Sequence, residues 1–275
     1  MRTTAIFNHK GGVGKTTTAS TMADILAIDY GKRVLLIDAD PQGNLSVFYR
    51  VEPDEGYSTL DLFMGTHEPV YSDWISAARP DASVDIIPSD TSLIQAEVAA
   101  LKEDARFNRR AMADLFRAIR EDADAPDTEN RQPAYDYVLI DCSPAFTQVS
   151  LAALRDADDI IIPVTTDLFS TTGMATVLKQ IMGAREDSLE NCVSGVLVNR
   201  YQRGEDQKGL LAYLRNQKAV PTFDTVIRKS DQVVPAGEDG IPLIKFSPRC
   251  AAARDYRAFV AEYIAQEGGG SNGKT

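Results

Sequence analysis

Cysteine is scarce: the 275 residues hold three, Cys142, Cys192 and Cys250, odd in number, widely spaced and without a Cys-x-x-Cys pair. That pattern excludes a disulfide framework and a zinc cluster, and it predicts a reducing, cytoplasmic setting. No apolar run approaches the roughly 18–20 residues that a membrane span needs. The N-terminus lacks the charged-then-apolar pattern of a secretory signal, because a strand pattern begins almost at once. Positive charge is also short. Lys and Arg number 29 against 40 Asp and Glu, a net charge of −11, which excludes a uniformly basic nucleic-acid binder but leaves room for a local basic face. There is no internal repeat. The rest is the composition of an ordinary globular chain, 44% hydrophobic and 25% charged, long enough for one large α/β domain or two small ones.

Short apolar runs alternate with amphipathic stretches along nearly the whole chain. Thr3–Asn8 reads as a buried strand, followed by a Gly-rich turn and a helix from about Thr16 to Tyr30 that Gly31 stops. Arg33–Asp38, Val84–Pro88, Tyr137–Asp141, Ile160–Val164, Val193–Asn199 and Thr222–Ile227 are further strand candidates. Helical patterns lie at about 90–120, 146–156, 170–187, 206–218 and 249–266. This alternation predicts an α/β fold, a mostly parallel twisted sheet with helices on both faces. Glu121–Asn130 is acidic and contains a proline, so it reads as a solvated connection without chemistry of its own. The segments assemble into a single domain over 1–267, and Gly268–Thr275 (GGGSNGKT) reads as a disordered tail.

The strongest signal is Lys10-Gly11-Gly12-Val13-Gly14-Lys15-Thr16-Thr17, between the first strand and the first helix. Glycines let the backbone wrap closely around phosphates with successive N–H groups aimed inward. The helix N-terminus adds partial positive charge. Backbone amides from Gly11 to Thr17 form the cradle, Lys15 reaches the β- and γ-phosphates, and the Thr16 hydroxyl serves as a Mg²⁺ ligand. Carboxylates at the ends of parallel strands face the crevice where a nucleotide sits, and Asp38, Asp40 and Asp141 are so placed.

The usual loop, G-x-x-x-x-G-K-S/T, has glycine where this chain has His9, and Lys10 opens the loop instead. That departure is the deviant Walker A pattern K-G-G-x-G-K-S/T, and here the sequence resembles the ParA/MinD/nitrogenase-iron-protein group of P-loop ATPases. Asp38-Ala39-Asp40-Pro41-Gln42-Gly43-Asn44 matches the D-x-D-P-Q-G-N segment of ParA-type partition ATPases. Val138–Asp141 followed by Cys142-Ser143-Pro144 resembles the Walker B strand and its turn, with Ser143 departing from the usual C-P-P. Ile87-Pro88-Ser89, Val196–Asn199, Thr225–Ile227, Gly240-Ile241-Pro242 and Ala253–Tyr256 extend the resemblance over residues 2–265.

The resemblance implies ATP and Mg²⁺ as cofactors. It gives Asp40 the task of orienting the attacking water near the metal, and Asp141 that of holding Mg²⁺ through a water. Thr16, Asp40 and Asp141 then form the metal set, and Lys10, Lys15 and Asp40 the catalytic set. Lys10 is expected to cross to the partner subunit's nucleotide in a sandwich homodimer. Asn199 is expected to read the adenine edge. Asp38 is either a direct participant or a structural neighbour of the loop. His9 is not expected to act as a base, nor Cys142 as a metal or redox ligand.

Between Asn199 and Arg257 there are 11 basic and 7 acidic residues, so this stretch carries +4 while the remainder carries −15. Several Lys and Arg on one face suffice for salt-sensitive, non-specific DNA binding, and Arg228, Lys229, Arg249 and Arg254 are the candidates. The resemblance implies a cytoplasmic, nucleoid-associated partition ATPase whose slow hydrolysis is stimulated by a ParB-like centromere-binding partner. Positioning of a protein cargo by the same ATPase is the alternative. A MinD-like membrane role is disfavoured, because the GGGSNGKT tail is no amphipathic helix.

Overall fold

The computed structural model describes residues 1–53, 57–65, 74–124, 134–166, 171–185, 192–217 and 220–270. Seven strands form one sheet: β1 (Arg2–Ile6), β2 (Val34–Ala39), β3 (Ser76–Arg79), β4 (Val84–Ile87), β5 (Tyr137–Cys142), β6 (Asp159–Thr165) and β7 (Val193–Asn199). Their spatial order is β3-β4-β2-β5-β1-β6-β7, parallel throughout except for β3 against β4. β2 and β5 are buried at every position, which is why they read as continuous apolar runs rather than alternating ones.

The two-residue period of a strand divides the core in two. Ala5, Leu35, Ile37, Val138 and Ile140 face one layer. It holds α3 (Thr59–Met64), α4 (Ile94–Leu101), α5 (Ala111–Asp124), α6 (Gln148–Asp156), α7 (Thr171–Arg185) and α8 (Glu205–Arg215). Ile6, Val34, Leu36 and Leu139 face the other. There lie α1 (Lys15–Tyr30), α2 (Asn44–Tyr49), α9 (Val233–Glu238), α10 (Leu243–Phe246) and α11 (Ala251–Gly270). Helix α1 ends as expected: Gly31, at φ 63°, turns its N–H onto the Ala27 carbonyl, and Lys32 N–H bonds to Leu26. Because β5 lies between β1 and β2, the carboxyl ends of three strands converge beside the loop that follows β1, the usual place for a ligand on such a sheet.

Two sequence expectations change. The pattern over 90–120 is two helices, α4 and α5, separated by a turn in which Glu103 takes the left-handed conformation at φ 54°. Thr222–Ile227 is not a regular strand. It runs beside β7 through isolated bridges at Thr222 and Arg228, because the N–H groups of Asp224 and Thr225 turn away to the Glu262 carboxylate at 2.7 and 2.9 Å. Two element ends also differ: α5 runs to Asp124, so the acidic connection read over Glu121–Asn130 begins as helix, and α11 runs to Gly270, into the stretch read as tail; residues 125–130 and 271–275 of these two stretches lie outside the described residues. Among the described residues no helix is long and apolar enough to cross a membrane.

Candidate functional site

The loop from Lys10 to Thr17 joins β1 to α1 under tight steric constraint. Gly12 and Gly14 sit at φ 74° and 91°, where a side chain is strained. Gly14 is the N-cap of α1, with no side-chain cap and no acidic residue in the first turn. The amides that begin the helix are thus left for an anion to satisfy. Asn8 anchors the entry, its amide donating to Pro163 O at 2.8 Å and its oxygen accepting from Lys10 N at 3.0 Å.

These residues open on a cleft of about 590 Å³ lined by Gly11, Gly12, Gly14, Lys15, Thr16, Thr17, Asp40, Asn199 and the stretch Ile227–Asp231. The size falls within the range usual for small-molecule sites. Among the described residues the lining includes Lys15 but not Lys10. Lys15 is buried, with its ammonium 3.2 Å from the Lys10 carbonyl. Burial lowers its pKa, while Asp141, then Asp40, holds the proton on. His9 is disfavoured as a cation by burial and by Lys10 and Lys15.

The three strand-end aspartates separate by their partners. Asp38 is fully buried, and its carboxylate accepts from Ser46 N at 2.9 Å, Ser46 Oγ at 2.7 Å and Asp40 N at 3.2 Å. Burial still raises its pKa to about 6, and its bonding makes it the brace of the β2–α2 turn. Asp40 is 8% exposed, accepts from Gln42 N at 3.0 Å, and lines the cleft. Asp141 is 1% exposed, and neither of its oxygens accepts a hydrogen bond of ordinary geometry. Burial, then the Asp38 carboxylate, pushes its pKa well up, and the Thr16 hydroxyl and Lys15 draw it back. A buried carboxylate without partners, beside a helix-start threonine and a cradle of free amides, fits a Mg²⁺ carried in on phosphates. That ion commonly takes one or two carboxylates and keeps several waters. Burial, then Asp141, pushes the Cys142 thiol up, so it is a packed apolar group and not a thiolate.

Asn199 lines the cleft and also braces the loop. Its NH₂ donates both to Val13 O and to Tyr256 OH, each at 3.2 Å, and its oxygen accepts from Arg200 N at 2.9 Å. It is a strut under the loop, and what it retains for a base is one lone pair on Oδ1.

The basic candidates also divide. Arg228 is held by Asp255 in a two-pronged ion pair at 2.6 and 2.8 Å, which neutralises it at the rim of the cleft, and Lys229 lines the cleft. Arg249 and Arg254 are exposed and have no ion-pair partner among the described residues. Ser46 carried no signal in the sequence, and Arg200, counted there only among the basic residues of the C-terminal stretch, has its guanidinium 3.4 Å from Gly12 O. Tyr256 stood in a motif but without a role.

Comparison with known proteins agrees with this geometry. An AAA-domain family model matches residues 1–193. The chromosome partitioning protein ParA of Caulobacter vibrioides is 33% identical over 97% of this chain and 95% of its own length. The chromosome-partitioning ATPase Soj of Treponema pallidum is 27% identical over 97% and 98%. Cobyrinic acid a,c-diamide synthase from Mycobacterium smegmatis, solved with an ATP analogue and magnesium, has the same fold. Its TM-score is 0.76 at 24% identity, over 98% of this chain and 97% of that one. On the match of the family model over residues 1–193 and the full-length likeness to a ParA, the chain belongs to the ParA family of P-loop ATPases.

Proposed function

We propose that this ATPase is a partition protein: it binds ATP with Mg²⁺, closes into a nucleotide-sandwich homodimer, and binds DNA without sequence preference. A ParB-like partner accelerates its slow hydrolysis and releases it. The observation that carries the reading is the convergence of open helix-start amides, Lys15, Thr16 and Asp40 on one cleft, with the buried Asp141 carboxylate interacting with Thr16 and Lys15 behind it.

In this reading the amides of Gly11–Thr17 and the buried Lys15 hold the phosphates in a fixed, water-poor cradle. Thr16, Asp40 and Asp141 are the residues that would hold Mg²⁺, which when bound would offset charge on the phosphate oxygens. Asp40 accepts a hydrogen bond from the attacking water and aligns it. Lys10, outside the lining of its own cleft, faces the partner's nucleotide. The DNA face rests first on Arg249 and Arg254, which are exposed, with Arg228 and Lys229 beside them at the cleft. Two copies double that patch, and the binding it gives weakens steeply with salt.

The test is DNA binding by the purified protein with ATP, ADP or no nucleotide, titrated against salt. ATP-dependent, salt-sensitive binding that disappears in Lys10→Ala is the expected result. Binding in no nucleotide state, with phosphate release intact, would overturn the DNA reading and point to a protein or membrane surface.

A further inference from the structure

The hydroxyl of Tyr256 has a placement that phosphate chemistry does not explain. Tyr256 lies on α11 and is 1% exposed, so its hydroxyl needs partners inside the protein. Both of them belong to the nucleotide site: Thr18 Oγ1 on α1 and Asn199 Nδ2 at the end of β7, each at 3.2 Å. The same Asn199 amide holds the Val13 carbonyl, and Thr18 N–H bonds to Gly14 O. There is little slack in this linkage, since a Cβ on Gly14 would stand 2.3 Å from Asn199 Nδ2. The adjacent residues carry it outward: Asp255 grips Arg228 at the cleft rim, and Arg254 is exposed to solvent.

We propose that Tyr256 is a positioning residue of the nucleotide site. Acting through Asn199, its hydroxyl sets the Val13–Gly14 turn, and it makes the first turns of α11 the element through which loop occupancy reaches the basic outer face at Arg254. The inference rests on the ATPase reading for its nucleotide-bound half alone.

Tyr256→Phe removes the hydroxyl and keeps the ring. In the nucleotide-free protein, amides 13–18 should exchange with deuterium several-fold faster in this variant, with the sheet unchanged. Asn199→Ala should do the same at amides 13 and 14, and there the double variant should be no worse than Asn199→Ala, the mark of residues acting in series; Thr18, which Tyr256 touches directly, stands outside that comparison. With nucleotide, the variant should bind ATP roughly tenfold more weakly, the scale of one lost hydrogen bond. Its turnover at saturating ATP should stay within about twofold of the parent. ATP should also protect amides 251–257 in the parent but not in the variant. Unchanged loop exchange, additive effects, uniformly faster exchange across the sheet, or ATP-induced protection of α11 that survives the substitution would each overturn the proposal. Absence of ATP hydrolysis by the parent would count against the ATPase reading instead, and the nucleotide-free exchange would still decide the role of Tyr256.

Discussion

Replacing Asp141 with asparagine should stabilise the nucleotide-free protein while disabling it. Asp141 is buried between β1 and β2, beside Asp38 in the register of the sheet, with no hydrogen bond of ordinary geometry to either oxygen and only the Thr16 hydroxyl and Lys15 to offset its burial. Leaving a buried polar group unpaired costs about 1–3 kcal/mol, and more for a charge. Asparagine keeps the shape and removes the charge. It also forfeits the attraction to Lys15, which retains Asp40, so the net gain should be about 1–2 kcal/mol, roughly 2–6 °C in Tm for a chain of this size. The pH dependence has a definite sign. A carboxyl whose folded pKa is raised contributes stability below its unfolded value and loses it as pH climbs through the folded value. The advantage of Asp141→Asn should therefore be small near pH 4, widen as pH rises, and level off above the raised pKa. With Mg²⁺ and ATP the order reverses, because the ligand stabilises the parent in proportion to its affinity and the variant has lost a metal-facing carboxylate. Thermal melts with and without Mg²⁺·ATP, together with phosphate release, read both halves. A lower Tm for nucleotide-free Asp141→Asn, or hydrolysis near the parental rate, would refute the assignment.

Asp40→Ala should leave ATP binding within about threefold and lower turnover by at least about 100-fold, as expected where a residue acts in the transition state rather than in binding; phosphate release and a nucleotide-binding titration separate the two. Gly14→Ala combines a left-handed backbone at φ 91° with a Cβ 2.3 Å from Asn199 Nδ2. It should cost about 2–4 kcal/mol in urea unfolding and abolish ATP binding. Ser46→Ala removes a donor to Asp38 at 2.7 Å and an acceptor from Ser89 N at 2.9 Å, at a cost of about 1–3 kcal/mol. A denaturation series should find that loss larger at pH 8 than at pH 5, because the carboxyl of Asp38, with pKa about 6, is ionised only at the higher pH.

The loop could be read from the sequence because its function is a backbone shape, and glycine spacing specifies backbone shape directly. The central strands were legible for a similar reason, since burial on both faces admits only apolar residues. The short elements α2, α3, α9 and α10 were not, because four to six residues carry too little periodicity and their existence depends on what they pack against. Thr222–Ile227 had strand composition, and a carboxylate 37 residues further on, at Glu262, diverted its N–H groups.

Charge shows the limit most clearly. Asp38, Asp40 and Asp141 are the same residue type at equivalent strand ends, and the sequence left the first between catalysis and support. What distinguishes them is which neighbours reach their oxygens: Ser46 and Asp40 for Asp38, a turn amide for Asp40, and no ordinary hydrogen bond for Asp141. Arg228 and Arg254 diverge in the same way, one neutralised by Asp255 and the other left to solvent. A carboxylate already braced by its own fold has little to offer a metal, and a guanidinium already paired has little to offer a phosphate. At the start of α1 and on Asp141 the fold leaves groups with few partners of their own, and these are the ones that a phosphate and its metal would satisfy.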